Sequence, residues 1–258
     1  MQKIFGVVNL KGGVCKTSLT QNLAVALAVK GKKVLVIDSD PQANLSAGFG
    51  LASSGTDNSP YVFQVLSGEK KICEVSVNCE GVDVVPSRLD LSVAQISLEH
   101  LPGRDLLLKR ALQKCKESGT KYDLVLLDSP PQLGLLAQNV LAASDGLIVP
   151  VESEFYSLMG MGLLEQTVAR FRDFLTPDLA IRAVILTRHD PRKQMHQQVE
   201  EQLSSAYPNT VFKTHIRENI AISEASSQGK SVLTYDPKCN GAQDYIFLAD
   251  EWCKQIGC

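Results

Sequence analysis

Two short apolar runs, each followed by an aspartate, constrain the fold of this chain more than any other feature. Residues 34–37 read Val-Leu-Val-Ile and lead into Asp38, and residues 124–127 read Leu-Val-Leu-Leu and lead into Asp128. Continuous apolar runs of this length are typical of strands buried on both faces of a parallel sheet. Because such sheets bind ligands outside the carboxyl ends of their strands, both carboxylates are expected at a functional edge.

Apolar runs alternate with helical patterns along the whole chain. Strands are expected at residues 4–8, 34–37, 82–85, 122–127, 146–151, 180–186 and about 211–214, and helices at 16–30, 101–117, 160–174, 193–206 and 241–256. This alternation predicts an α/β fold, a mostly parallel, twisted sheet with helices on both faces. No repeat or long linker divides the sequence, so residues 1–258 are expected to form a single domain, with a turn-rich surface loop near 52–60.

The segment between the first strand and the first helix has properties of a phosphate-binding loop. It reads Asn9-Leu-Lys-Gly-Gly-Val-Cys-Lys-Thr-Ser18 and fails the simple G-x-x-x-x-G-K-[ST] pattern, because Leu and Cys occupy the glycine positions. Gly12 and Gly13 still allow backbone N–H groups to turn toward an anion at a helix N-terminus. Lys16 can contact the β- and γ-phosphates, and Thr17 can offer a hydroxyl to Mg²⁺. On these residues alone, an ordinary strand-to-helix turn stays an alternative.

The string Lys11-Gly-Gly-Val-Cys-Lys-Thr17 resembles the deviant Walker A motif, K-G-G-x-x-K-[ST], of the ParA/MinD ATPases. The resemblance implies a P-loop NTPase that uses ATP or ADP with Mg²⁺. It also implies that Lys16 is the ordinary phosphate-binding lysine, and that Lys11 reaches across a nucleotide-sandwich homodimer to the partner's phosphates. The implied nucleotide-binding residues are Lys11, Gly12, Gly13, Val14, Cys15, Lys16, Thr17 and Ser18, with Ile216 and Arg217 near the adenine.

Cys15 and Ser18 depart from the family pattern, in which most members have glycine and threonine at these positions. If the backbone at Cys15 needs a positive φ, a residue with a side chain costs on the order of 1 kcal/mol there. Two outcomes therefore stay open, a working ATPase and a nucleotide-gated binding module with little or no turnover. A reactive thiol beside a lysine and a helix N-terminus is a further alternative.

Two aspartate segments resemble the remaining nucleotide motifs of the family. Asp128-Ser-Pro-Pro-Gln-Leu-Gly134 is similar to the Walker B and switch II segment, which implies that Asp128 acts on Mg²⁺ through a water. Asp38-Ser-Asp-Pro-Gln-Ala-Asn44 is similar to switch I, in which Asp40 positions the attacking water. The implied catalytic residues are Lys11, Lys16 and Asp40, and the implied metal-site residues are Thr17, Asp38 and Asp128. Without the resemblance, a helix cap at Asp128 and a turn at Asp40 are the alternatives.

The two ends of the sequence favour one branch of this family. The phosphate loop begins by residue 11, so the N-terminal helix-turn-helix domain of the larger plasmid partition ATPases is not expected. The C-terminal segment has too few basic residues for the membrane-targeting helix of MinD-type proteins, and Trp252 and Ile256 are expected to be core contacts. The remainder resembles the short ParA/Soj type, which partitions chromosomes or plasmids. A MinD-like positioning ATPase at a membrane is the third reading.

In the ParA/Soj type, the ATP-bound dimer binds double-stranded DNA without sequence preference, and a ParB-like centromere-binding partner stimulates slow hydrolysis and release. The resemblance implies DNA contacts from Arg192, Lys193, Lys213, Arg217 and Lys230. Residues 180–230 contain seven Lys or Arg against five Asp or Glu, so a solvated surface with scattered charges is the alternative. Phosphate contacts of this kind weaken as the salt concentration rises.

Composition limits where such a protein can act. Twenty-six Lys and Arg against 28 Asp and Glu give a net charge of −2, so DNA binding has to come from a local patch. Seven cysteines without a C-x-x-C pair favour free thiols in a reducing compartment over disulfides or a zinc ribbon. No apolar run approaches ~18 residues, and the first residues lack the long apolar segment of a secretory signal, so neither a membrane span nor a signal is expected. We therefore expect a cytoplasmic, nucleoid-associated protein without stable membrane binding.

Overall fold

The computed structural model describes residues 3–51, 59–154, 157–174 and 176–257. Its strands are β1 (Lys3–Val7), β2 (Val34–Asp38), β3 (Val77–Cys79), β4 (Val82–Val85), β5 (Leu124–Asp128), β6 (Gly146–Glu152) and β7 (Ile181–Thr187). They form one seven-stranded sheet in the order β3-β4-β2-β5-β1-β6-β7. Every neighbouring pair is parallel except the antiparallel pair β3 and β4.

Twelve α-helices occur within the described ranges. They are α1 (Lys16–Val29), α2 (Asn44–Gly48), α3 (Val62–Ser67), α4 (Ile72–Val75), α5 (Leu91–Leu98), α6 (Leu107–Glu117), α7 (Leu135–Ala143), α8 (Ser157–Phe174), α9 (Gln194–Ala206), α10 (Ile220–Ser227), α11 (Val232–Tyr235) and α12 (Asn240–Gln255). The predicted fold class, α/β with a mostly parallel sheet, is confirmed. No helix among the described residues combines the length and the apolar character that crossing a bilayer requires.

The apolar strands contribute to two cores, one on each face of the sheet. In β2, Leu35 and Ile37 join the core formed with α3 to α9, whereas Val34 and Val36 join the core formed with α1, α2 and α10 to α12. Successive side chains of a strand point to opposite faces, so a strand covered on both faces needs an uninterrupted apolar run. The run before Asp38 is therefore explained by burial on both sides.

The C-terminal helix packs against the sheet as the sequence predicts. Trp252 is fully buried, and its ring meets that of Phe5 edge-on, with 4.9 Å between the ring centroids. Ile256 is partly buried against the same core. Both residues are core contacts, and the prediction for this segment is confirmed.

Two predicted elements differ from the structure. The strand expected at about 211–214 is wrong, because only isolated bridges join Val211 to Val184 and Ile216 to Thr187. Between them, the N–H groups of Lys213 and Thr214 donate to the Glu251 carboxylate, both at 2.8 Å, instead of to a strand. The helix expected from 101 begins at 107, after a 3-10 turn at 104–106. The predicted surface loop near 52–60 lies largely outside the described residues, and α3, α4 and β3 follow it in the chain.

Candidate nucleotide site

The sheet brings the predicted site to its carboxyl edge. Val7, Asp128 and Asp38 are aligned in register as the last residues of the neighbouring strands β1, β5 and β2. The loop that follows β1 therefore lies beside both aspartates, which are almost completely buried. The juxtaposition expected from the two apolar runs is present.

The loop has the open backbone that a bound anion requires. Gly13 has a φ of +82°, and a Cβ added at Gly12 or Gly13 would meet no heavy atom within 4 Å. Side chains at these two positions would project into the open space over the loop, where a ligand would lie. The first N–H groups of α1 also lack partners within the helix, as at every helix N-terminus. The loop therefore suits phosphate oxygens.

Cys15 occupies the position before α1 in the left-handed region, with φ 63° and ψ 27°. Because this φ is positive, the backbone strain expected for a residue with a side chain is present at Cys15, at about 1–2 kcal/mol. Burial raises the pKa of the Cys15 thiol, with an opposing effect of nearby Arg188. A thiol with a raised pKa holds little thiolate at neutral pH, which argues against the reactive-cysteine alternative.

Lys16 is buried under the loop with its ammonium directed at backbone carbonyls. Its Nζ donates to the carbonyl of Asn9 at 3.2 Å and to that of Lys11 at 3.4 Å, and the residue is only 8% exposed. Burial lowers the pKa of Lys16, against the opposing effect of the Asp128 and Asp40 carboxylates. A cation close to two carboxylates and to an anion-binding loop can pair with phosphate.

Thr17 and Asp128 form the part of the site that fits a divalent cation. Thr17 Oγ1 donates to Asp128 Oδ2 at 2.9 Å, and Thr20 Oγ1 lies 3.2 Å from Asp128 Oδ1. Burial raises the pKa of Asp128, and the neighbouring Asp38 carboxylate raises it further. Two adjacent buried carboxylates with one lysine nearby lack cationic charge, and carboxylate and hydroxyl oxygens suit Mg²⁺.

Asp38 supports the loop that carries Asp40. Asp38 Oδ2 accepts hydrogen bonds from the N–H of Ser46 at 2.9 Å and its hydroxyl at 2.7 Å, while Oδ1 accepts the N–H of Asp40 at 3.1 Å. Asp40 in turn accepts the N–H of Gln42 at 2.9 Å. Both oxygens of Asp38 are used within the loop in this structure, and its metal role stays a prediction. Ser46 is a supporting residue that the motifs did not reveal.

Lys11 lies at the rim of the site, and its side chain is 44% exposed. Its Nζ pairs with Glu152 at 3.2 Å and also with Glu154, whose hydrogen bond is the main cause of a raised Lys11 pKa. Arg188 reaches the other oxygen of Glu152 at 2.7 Å. Sequence reasoning missed these two glutamates, because nothing in the sequence marks them as partners of a lysine 141 and 143 positions away.

A cavity of about 140 Å³ adjoins the phosphate loop. Cys15, Ser18, Ile216 and Arg217 line it, together with Tyr245. The structure therefore brings the two residues predicted near the adenine to the loop, although no ligand tests that role. Arg217 is also held by buried Asp244, with Nη2–Oδ1 at 2.6 Å and Nε–Oδ2 at 3.0 Å. Asp244 lies 27 positions after its partner, outside any motif.

The five residues predicted to contact DNA do not form one patch. Arg192 and Lys193 are exposed on the turn after β7, where Arg192 forms a two-pronged pair with Asp190. Lys213 is exposed in the segment that follows α9, and the Arg217 side chain is paired with Asp244. Lys230 is also exposed but lies at the opposite edge of the sheet, since the next residue, Ser231, donates its N–H to Glu80 at 3.1 Å in the β3–β4 turn. Their DNA role stays a prediction.

Comparison with known proteins identifies the family. A family model described as an AAA domain matches residues 2–181. The chain is 38% identical over 253 residues to the sporulation initiation inhibitor protein Soj of Bacillus subtilis, covering 97% of this chain and 98% of that protein. It is 39% identical over 251 residues to the chromosome partitioning protein ParA of Caulobacter vibrioides, covering 96% of this chain and 93% of that protein.

A solved structure agrees with these relatives. Cobyrinic acid a,c-diamide synthase from Mycobacterium smegmatis, with bound ATP analogue and magnesium, superimposes with a TM-score of 0.83 at 29% identity, over 97% of this chain and 93% of that one. On its sequence and its fold, the chain belongs to the ParA/MinD family of P-loop ATPases.

Proposed function

We propose that this chain is a partition ATPase that hydrolyses Mg-ATP and moves DNA cargo, chromosomal or plasmid. In this proposal, ATP binding drives formation of a sandwich homodimer that binds double-stranded DNA. A ParB-like centromere-binding partner then stimulates a slow intrinsic hydrolysis and releases the dimer. The observation that carries the proposal is the convergence of Lys16, Thr17, Asp128 and Asp40 at one sheet edge, with Lys11 on the same loop. The similarity to Soj of Bacillus subtilis and to the chromosome partitioning protein ParA of Caulobacter vibrioides supports DNA as the cargo.

The loop and Lys16 would bind the nucleotide. Backbone N–H groups at the start of α1 and the Lys16 ammonium match the charge of the β- and γ-phosphates. Ile216 and Arg217 would border the base in the cavity beside the loop. Thr17 and Asp128 would hold Mg²⁺, which when bound neutralises charge on the phosphate oxygens. Lys16 is the one cation of this group already buried at the edge, so its loss should remove binding.

Asp40 would orient the water that attacks the γ-phosphate. Hydrogen bonds from the Asp40 N–H and the Ser46 hydroxyl to Asp38 hold the backbone of this loop. Asp40 itself is 9% exposed. Positioning of the nucleophile, together with electrostatic stabilisation, is what a protein supplies to phosphoryl transfer. Asp40 therefore acts on turnover, whereas nucleotide affinity depends on the loop.

Lys11 would reach the phosphates of a second chain in the dimer. Its Nζ is held by Glu152 and Glu154 within its own chain, and Glu154 is solvent-exposed. The pair with Glu154 is screened by solvent, and Arg188 also pairs with Glu152 at 2.7 Å, so the charged phosphates of a partner's ATP can replace both carboxylates as partners of Lys11. Dimer formation would then depend on ATP rather than on a preformed interface.

DNA binding would use the exposed cations Arg192, Lys193, Lys213 and Lys230, with Arg217 in a supporting position. A dimer would carry two copies of this sparse set of cations. Its binding to chromosomal DNA would then associate the protein with the nucleoid. The whole of residues 1–258 would act as one ATPase domain in the cytoplasm, without stable membrane binding. Because these contacts are to phosphates, DNA affinity should fall steeply with salt.

The test compares Asp40→Ala with Lys16→Ala in phosphate release and size-exclusion chromatography with ATP. Lys16→Ala should bind no nucleotide, and Asp40→Ala should bind ATP, stop turnover and accumulate as a dimer that retains DNA. Lys30→Ala is the control, because Lys30 pairs with Asp250 near the far end of α1 at 2.7 Å. Parental turnover by Asp40→Ala would contradict the role given to that residue.

A second candidate is a nucleotide-gated binding module without useful turnover, which the left-handed conformation of Cys15 favours. Strain at this position can displace an amide that would contact phosphate. Such a module would dimerise with ATP and hold DNA, but release no phosphate even when DNA and the partner are both present. Phosphate release under that condition separates the two candidates.

A further inference from the structure

A second group of ligand-bearing side chains lies beyond β7, outside the nucleotide site. His189 follows the end of β7, Glu200 projects from α9, and His215 lies in the segment beside β7. One ligand atom from each of the three lies within 4.8 Å of the others. Glu200 is central, with Oε2 at 3.4 Å from His189 Nε2 and Oε1 at 3.1 Å from His215 Nε2.

The two histidine nitrogens are buried without hydrogen-bond partners. Neither His189 Nε2 nor His215 Nε2 makes a hydrogen bond, although the Glu200 oxygens are near both. The His189 side chain is completely buried. Buried polar atoms in native proteins almost always have a hydrogen-bond or metal partner. Two unpaired ring nitrogens beside one carboxylate therefore point to a ligand that would pair with both of them.

A buried serine fixes the orientation of His189. Ser153 Oγ lies 2.8 Å from His189 Nδ1, and Ser153 is 2% exposed. When Nδ1–H donates to Ser153, the lone pair of Nε2 points away from the serine, toward the other two side chains. Metal-binding histidines commonly use their second ring nitrogen in this way. His196 lies nearby but accepts the N–H of Asp190 through Nδ1 at 3.0 Å, so that nitrogen is already used.

We propose that His189, Glu200 and His215 bind one zinc ion, with a water as the fourth ligand. The two histidine nitrogens approach different oxygens of Glu200, at 3.4 and 3.1 Å, and one ligand atom from each residue lies within 4.8 Å of the others. Small side-chain movements would therefore bring both nitrogens and one Glu200 oxygen to the bond length of about 2.0–2.1 Å that zinc requires. Imidazole nitrogens suit zinc, whereas Mg²⁺ prefers oxygen ligands. The site is therefore chemically distinct from the Mg²⁺ site at the phosphate loop.

The site is accessible and connects three separate segments. A cavity of about 330 Å³ lined by His189, His215 and Pro191 adjoins it, and Glu200 is 35% exposed. This cavity provides an entry path and room for water. A bound ion would join the β7–α9 turn, helix α9 and the segment before Ile216, and would fix the turn that carries Arg192 and Lys193. This inference does not depend on the proposed partition activity.

The experiment uses the full chain, treated with a chelator, dialysed, and titrated with Zn²⁺ in the presence of Mg²⁺ and ADP. Calorimetry should find one zinc ion per chain, and zinc should raise the Tm. His215→Ala and Glu200→Gln should weaken zinc binding by more than the ~10–100-fold that loss of a supporting contact costs, and Ser153→Ala by about 10-fold. His100→Ala and Glu201→Gln, at exposed positions, should leave it unchanged.

Cobalt substitution distinguishes this site from the cysteines of the chain. The absorption of bound Co²⁺ should be that of a four-coordinate nitrogen and oxygen site, without a thiolate charge-transfer band. The proposal fails if Co²⁺ shows that band, or if Glu200→Gln binds zinc like the parent chain. Folding of each variant is checked by its circular dichroism and by nucleotide binding, so a misfolded His215→Ala would leave Glu200→Gln and Ser153→Ala to decide the result.

Discussion

The nucleotide edge and the histidine group beyond β7 both bury polar side chains, but they differ in how these groups are satisfied. At the nucleotide edge, all four carboxylate oxygens of Asp38 and Asp128 have a hydroxyl or N–H within 3.2 Å. Beyond β7, two buried ring nitrogens have no hydrogen bond. The two carboxylates of the nucleotide edge are thus held by hydrogen bonds within the chain, whereas the two histidine nitrogens would gain a partner only from the proposed ion.

This difference predicts opposite responses to substitution. Removing a group from the satisfied network should cost stability or catalysis in the protein as it stands, because its partners are left unpaired. Removing a group from the unsatisfied cluster should cost little until the ion is supplied. The four predictions below test that contrast, in order of decreasing effect.

The largest effect is expected for Asp128→Asn, which keeps the shape of the side chain and removes its charge. Turnover should fall by about 10²–10³-fold, the loss typical when one electrostatic group of an active site is removed. The dependence of ATP binding on Mg²⁺ should weaken at the same time. Phosphate release measured across a Mg²⁺ series checks both. Asp145→Asn is the control, because Asp145 accepts the N–H of Ile4 at the amino ends of the strands, away from the nucleotide site. Unchanged Mg²⁺ dependence in Asp128→Asn would contradict the metal role.

Ser46→Ala should destabilise the fold by about 2–3 kcal/mol. The buried Ser46 hydroxyl donates to Asp38 at 2.7 Å and accepts the N–H of Ser87 at 2.8 Å. The substitution therefore removes one hydrogen bond to the buried Asp38 carboxylate and leaves the N–H of Ser87 without this acceptor. The urea midpoint should fall with an unchanged m-value. Ser92→Ala removes an exposed hydroxyl that donates to Leu89 at 2.7 Å and should change stability little. Equal losses in the two variants would mean that the loop network is not the source of the effect.

The same contrast explains what the sequence could predict. The β1, β2 and β5 strands, the buried Asp38 and Asp128 and the loop with Lys16 follow from contiguous residues, because a short motif fixes both the local backbone and the groups it carries. The fold class followed from the period of the apolar runs. Positions and types of these elements are confirmed within the described ranges.

Contacts between distant segments could not be predicted. The Glu251 carboxylate accepts hydrogen bonds from the N–H groups of Lys213 and Thr214. These N–H groups are therefore not available to the strand expected at about 211–214. Glu152, Asp244 and Ser46 act on site residues that are 8 to 141 positions away. The His189, Glu200 and His215 group likewise has no sequence spacing typical of a metal site. Such pairs depend on how elements pack, which local patterns do not encode.

Cys15→Gly and Cys15→Ala separate backbone strain from the thiol. Both variants remove the sulfur, but only glycine adopts the φ of 63° without steric cost. Cys15→Gly should be more stable than Cys15→Ala by about 1 kcal/mol in urea unfolding. If strain also displaces a phosphate-binding amide, Cys15→Gly should hydrolyse ATP faster than the parent chain. Equal stability of the two variants would show that the loop relaxes around position 15.

The smallest effect is expected for Glu200→Gln in the metal-free protein. Glu200 is partly exposed and makes no hydrogen bond to either histidine nitrogen, so its loss should change the free energy of unfolding by about 0–1 kcal/mol. Saturating zinc should then stabilise the parent chain and leave Glu200→Gln nearly unchanged, which widens the gap between them. Urea unfolding with and without zinc measures both values. A metal-free loss as large as that of Ser46→Ala would mean that Glu200 already stabilises the cluster, and the contrast between the two regions would disappear.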